Sequence, residues 1–282
     1  MIHFFRTLLR PVLLPALLLA CTSAGAVDRT AAAQTLLLQS GLSGQLGAIE
    51  PQVRAGLAEA MSSGPQRPSA AEAGRIAQVV TATFAAERLR ETATRVIAAG
   101  LQEEHLGALQ AWYASPTGLA VARLEAQATA EQQDMGEVMR LGQAALAQST
   151  PRRRELLGDL LRETQAAEAA VELALNTAVA IQRGFSAAVP DAPQPSTAEI
   201  EASLAPQRAP MLQAMTALAA ASMALTYQRL SEAELAQYLQ FTASAAGRHF
   251  NALGLQAVDA ALTEATETLG RSLPGTRDPS NT

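Results

Sequence analysis

Leu101-Gln-Glu-Glu-His-Leu-Gly-Ala-Leu-Gln-Ala-Trp-Tyr-Ala-Ser-Pro-Thr-Gly118 is the stretch on which the fold turns. Leu106, Leu109, Trp112 and Tyr113 recur at helical spacing, which predicts a short amphipathic helix with one apolar face. Ser115 can cap and Pro116 can take the first position of a second, longer helix running to about Gln148. A weaker version returns as Leu230-Ser-Glu-Ala-Glu-Leu-Ala-Gln-Tyr-Leu-Gln-Phe-Thr-Ala-Ser-Ala-Ala-Gly247. With Leu101 set on Leu230, Glu103 meets Glu232, Leu106 meets Leu235, Trp112 meets Phe241, Ser115 meets Ser244 and Gly118 meets Gly247.

The upstream loops agree with that alignment. Ser62–Ser69 falls opposite Val189–Ser196 to within a residue or so. Two distant features on one shift predict an internal duplication, about 30–149 and 150–270, followed by a frayed tail over 271–282. In the first half, a periodic segment from Thr30 to about Ile49 is expected to break at Pro51 and resume as far as Met61. Ser69 with Glu72 reads as a capping box, opening one long helix through Phe84 to a C-cap at Gly100. In the second half, Thr150-Pro151 starts a helix to about Ile181. Ser196 with Glu199 and Ser231 with Glu234 are two more capping boxes, and Pro206 and Pro210 interrupt the chain between them. No stretch alternates long enough to argue a strand. The expected fold class is all-α, two tandem small helical bundles.

Composition points the same way. Of the 282 residues 49% are apolar but only 4% aromatic, and alanine is abundant. Closely packed helices tolerate such a core better than a sheet does. The chain has no lysine, and its net charge of −5 becomes −7 without a leader carrying Arg6 and Arg10. An acidic, lysine-free chain is a poor match for nucleic acid, whose phosphates supply most of the affinity.

Arg6 and Arg10 precede the short apolar run Pro11–Ala20, and small residues follow. That order predicts a secretory signal peptide, too short to span a bilayer. Two processing sites compete. Ala24-Gly25-Ala26 would release a soluble protein at Val27. Leu18-Leu19-Ala20-Cys21 resembles a lipobox, in which Cys21, the only cysteine, is lipidated. Either way the mature body has no disulfide, and the expected location is exported and periplasmic.

The block around Trp112 resembles the bacterial domain-of-unknown-function family 2059, whose pattern is roughly Thr/Ser-x-Glu-Glu-Leu, an aromatic pair, then Ser-Pro-x-Gly. Glu104, Leu106, Trp112, Tyr113, Ser115, Pro116 and Gly118 match it, and Ser231, Glu234, Leu235, Phe241, Ser244 and Gly247 match more weakly. Gln102 and His105 depart from the pattern in the first block, Thr242 and Ala245 in the second, so the second turn is expected to be softer. The resemblance implies an exported helical protein and no reaction.

Trp112, Tyr113 and Phe241 are the candidate anchors for a partner helix or a small amphipathic ligand. The alternative is a core plug that fixes the bend. Ser115, Pro116, Gly118, Ser244 and Gly247 form the turn motif. His105 and His249 do not sit at metal-ligand spacing, so no metal and no cofactor are expected. Arg152-Arg153-Arg154 could meet an acidic partner or simply be solvated. Nucleophile elbows, phosphate loops and zinc-protease helices are missing from the sequence. The expectation is therefore a non-catalytic interaction or scaffold module, with an unknown envelope protein or small amphipathic ligand as its partner.

Overall fold

The structure is a computed structural model that describes residues 28–63, 69–131, 134–188 and 195–272. The leader, Cys21 and the tail from 273 onward lie outside them. Thirteen α-helices are described, and among the described residues there is no strand. They are α1 (Arg29–Gln39), α2 (Leu42–Ser63), α3 (Ala70–Thr83), α4 (Ala86–Gly100), α5 (Glu103–Ala114), α6 (Pro116–Glu131) and α7 (Met135–Gln148). The second half contributes α8 (Pro151–Thr164), α9 (Ala166–Ala188), α10 (Thr197–Leu204), α11 (Arg208–Thr226), α12 (Glu232–Thr242) and α13 (Ala245–Ser272). The fold is all-α.

The predicted caps are in place. Ser69, Ser196 and Ser231 each accept the N–H of the glutamate three residues on, and that glutamate accepts the serine's own N–H. Each box satisfies donors that a helix start leaves open. Thr150 caps α8 by accepting from Arg153 N at 3.0 Å.

Several boundaries differ from expectation. The first break comes at Gly41, whose φ of +77° a residue with a side chain would resist. Pro51 lies inside α2, where it costs one backbone bond. Buried Ile49, Val53 and Leu57 on either side hold that helix to the core regardless. The long helix expected from Ser69 to Gly100 is cut at Phe84, whose ring is completely buried at the corner between α3 and α4. Gly100 is not a left-handed cap. A side chain there would strike Leu253 Cδ2 at 2.3 Å, so its smallness lets α4 approach α13. The helix from Pro116 is likewise two helices, with Asp134 capping the second by accepting from Gly136 N and Glu137 N. The one expected to Ile181 is cut at Gln165, which adopts φ 53°.

The packing does not follow the chain halves. One buried core joins residues of α1 to α5 with Ala246, Phe250, Ala257, Ala261, Leu262, Ala265 and Leu269 of α13. The other joins Val121 of α6 with Leu156, Leu157 and Leu160 of α8 and with Ala224, Tyr227, Leu230 and Leu235. The most extensive helix pairings are α4 with α13 and α7 with α11, each linking one half to the other. Two tandem bundles, each closing on its own core, are therefore not what is seen. The physical reason is that an apolar stripe specifies that a face is buried, not which helix buries it.

Candidate functional site

The two blocks build their turns alike. Ser115 Oγ donates to Trp112 O at 2.7 Å and accepts from Gly118 N at 2.9 Å. Ser244 Oγ donates to Phe241 O at 2.6 Å and accepts from Gly247 N at 3.0 Å. A Cβ on Gly118 would lie 2.0 Å from Trp112 O, and one on Gly247 would lie 2.0 Å from Phe241 O. Only glycine fits this close approach. The second turn keeps its break although Ala245 stands where Pro116 does, so the Ser-x-x-Gly pattern makes the bend and the proline is dispensable.

The turns bring their aromatic residues together. Trp112 stacks on Phe241 with ring centroids 4.4 Å apart and planes 7° from parallel. It also stacks on Tyr238 at 5.6 Å. Tyr113 meets Phe241 and Phe250 edge-on, both at 6.1 Å, and Tyr227 meets Tyr238 edge-on at 5.7 Å. The chain's only tryptophan and all three of its tyrosines thus gather in one cluster. Tyr113 and Phe241 pack on the first core, Trp112 and Tyr238 on the second, so the cluster is the seam between them. Stacked rings at these separations leave no slot for a ligand between Trp112 and Phe241. Trp112 and Phe241, the candidate anchors, thus each pack on the other block.

A residue not singled out in the sequence lies beneath the rings. Glu125 of α6 accepts from Tyr227 Oη at 2.6 Å and from Tyr238 Oη at 3.0 Å, both on Oε1. Burial pushes its carboxyl pKa up, and the two hydroxyl donors pull it partly back. Tyr227 and Tyr238 are held well above the usual phenol range, first by burial and then by the Glu125 charge. Tyr113 is raised for the same two reasons. Beside them Thr117 Oγ1 donates to Gln237 Oε1 at 2.6 Å, again joining α6 to α12. The signal was present: Glu125 is four residues past buried Val121, which puts an acid on an apolar stripe.

The remaining candidates resolve into internal contacts. Arg153 donates to Leu230 O and Tyr227 O, tying α8 to the turn before α12. Arg152 pairs with Glu155, and Arg154 donates to Ser149 O. His105 and His249, 144 residues apart, lie with ring centroids 5.0 Å apart, and His249 Nε2 donates to Gly100 O at 3.0 Å. Among the described residues no group of three or more histidines, cysteines or acids converges as a metal site would require.

No curated protein and no solved structure matches the chain. Residues 87–149, which run from α4 through the first turn to the end of α7, match the model of a family described as "Uncharacterized protein conserved in bacteria (DUF2059)".

Proposed function

We propose that the chain is an exported, non-catalytic helical protein of the cell envelope, tethered by lipid on Cys21, that works by docking another envelope protein on the face made by α7 and α11. One observation carries the docking face. Between Arg208 and Arg229 there is no charged residue, yet of an apolar 18-residue window within Thr197–Thr226 only 11% is buried. Five of the seven methionines lie on this helix pair, at Met135, Met139, Met211, Met215 and Met223. Met135 is 63% exposed, Met139, Met211 and Met215 are half-buried, Met223 packs against the second core, and α7 packs chiefly on α11 alone. Flexible, polarisable methionine side chains on an open apolar surface suit a partner helix.

We also infer that 150–270 is a second, divergent copy of the unit that begins near residue 30. The repeated turn contacts support it. So does the stack of Trp112 on Phe241, since equivalent residues touch each other at a two-fold axis. The shift of 129 residues that relates Leu101 to Leu230 also carries α4 onto α11 and α13 onto α6 and α7. The paired helices α4–α13 and α11–α7 are then counterparts. The first pair is covered by α1 and α3, whereas α10, the counterpart of α3, packs on α9 and leaves the α7 side of the second pair uncovered. The open face is where that cover would sit.

A photo-crosslinking residue in place of Met215 tests the docking in living cells. The expected result is a discrete crosslinked protein that disappears in the M139E/M211E variant while melting temperature is kept. Crosslinks no stronger than at exposed Glu201, or only to lipid, would refute it. Mass spectrometry of the mature N-terminus tests the tether: lipid on Cys21 supports it, and a free amine on Val27 removes it.

A further inference from the structure

The carboxyl of Glu125 is drawn into the seam, where it bridges α6 of the first half to Tyr227 and Tyr238 of the second. We propose that Glu125, Tyr227 and Tyr238 form a pH-sensitive clasp that holds α6 against the α11–α12 segment more tightly in weak acid than at neutral pH.

The argument is one of desolvation and geometry. An ionised carboxylate under aromatic rings has lost much of its water and gains only two phenol donors in return. The groups around it supply no positive charge. From α5 it faces Tyr113, from α12 Tyr238, and from the end of α11 Tyr227. Arg153 of α8 reaches the same segment, and its guanidinium donates to the carbonyls of Tyr227 and Leu230. Arg208, the one charge on α11, pairs with Glu172, and Glu50 of α2 is taken by Arg54 and Thr81. Among the described residues no ion pair includes Glu125. Proton uptake therefore removes an uncompensated charge from the seam, whereas ionisation strains the contact that joins the halves. Trp112 stacks on Tyr238 and reports on it directly.

The test follows Trp112 fluorescence and the urea midpoint of the full mature chain from pH 5 to 8, in wild type, E125Q and Y227F/Y238F. The difference between wild type and E125Q isolates Glu125 from every other titrating group. The expected wild-type chain loses stability as pH rises, with a fluorescence change at the same midpoint. E125Q keeps the acid-side signal throughout. Y227F/Y238F, lacking the donors that favour the charged form, moves the midpoint up by about one pH unit. Superimposable profiles for wild type and E125Q would overturn the proposal. Should E125Q not fold, an unmoved midpoint in Y227F/Y238F overturns it independently.

Discussion

Gly118 and Gly247 stand at places where no side chain fits, while Gly107 of α5 faces open space. Gly118→Ala and Gly247→Ala each force a backbone carbonyl aside, so each is expected to lower unfolding free energy by about 1–3 kcal/mol. Gly107→Ala removes only unfolded-state freedom and is expected to stabilise by about 0.4–1 kcal/mol. Urea denaturation of the three variants checks this. Equal effects at all three sites would contradict the role given to the turn glycines. Titrating residues give a second outcome with a definite sign. Glu72, Glu199 and Glu234 accept from their capping serines, and Glu163 and Glu264 from Arg248 and Arg95, which lowers their pKa values from the ordinary 4.5. Their stabilising effect is complete above the unfolded value and fades as pH falls through the folded one. Glu125 is shifted upward, so its contribution is complete in acid and fades as pH rises through the folded value. Stability is therefore expected to peak in weak acid, and denaturation across pH 3 to 8 should show the neutral limb flattened in E125Q.

At the scale of helices, the crossing of α7 on α11 rests on Gly142. A Cβ there would lie 2.2 Å from Ala221 O, so the two backbones touch without an intervening side chain. Gly142→Val is expected to detach α7 while leaving the first core intact. Hydrogen exchange should then show lost protection confined to α7 and α11, and unchanged protection of α7 would contradict the crossing. Much at this scale was legible in the sequence. Ser69, Ser196, Ser231 and Thr150 announce helix starts through chemistry local to four residues. Phe84 and Gln165 announce nothing, because neither residue type breaks a helix by itself. At Phe84 tertiary packing turns the chain, with its ring fully buried at the corner between α3 and α4. Pro51 misleads for the converse reason: the breaker is present, but burial on both flanks overrides it.

For the whole molecule, the decisive feature is that each half lends a helix to the other's core. Periodicity identified the apolar face of α5 without saying which helices bury it, so the all-α class was readable and the interlocking was not. The same limit hid the meeting of His105 with His249 and that of Tyr227 and Tyr238 with Glu125, contacts that span more than a hundred residues. Trp112 and Phe241 were readable as a pair of equivalents, but their mutual stacking follows only from the interlocked arrangement. Arg95 of α4 and Glu264 of α13 pair at 3.0 Å across the two halves, which makes them markers for it. Spin labels at positions 95 and 264, read by pulsed dipolar spectroscopy on the otherwise cysteine-free body, measure that spacing directly. Interlocked halves predict one narrow distance within about 20 Å, two label lengths around helix axes about 9 Å apart. A broad distribution, or one centred beyond about 40 Å as separate bundles would give, contradicts it.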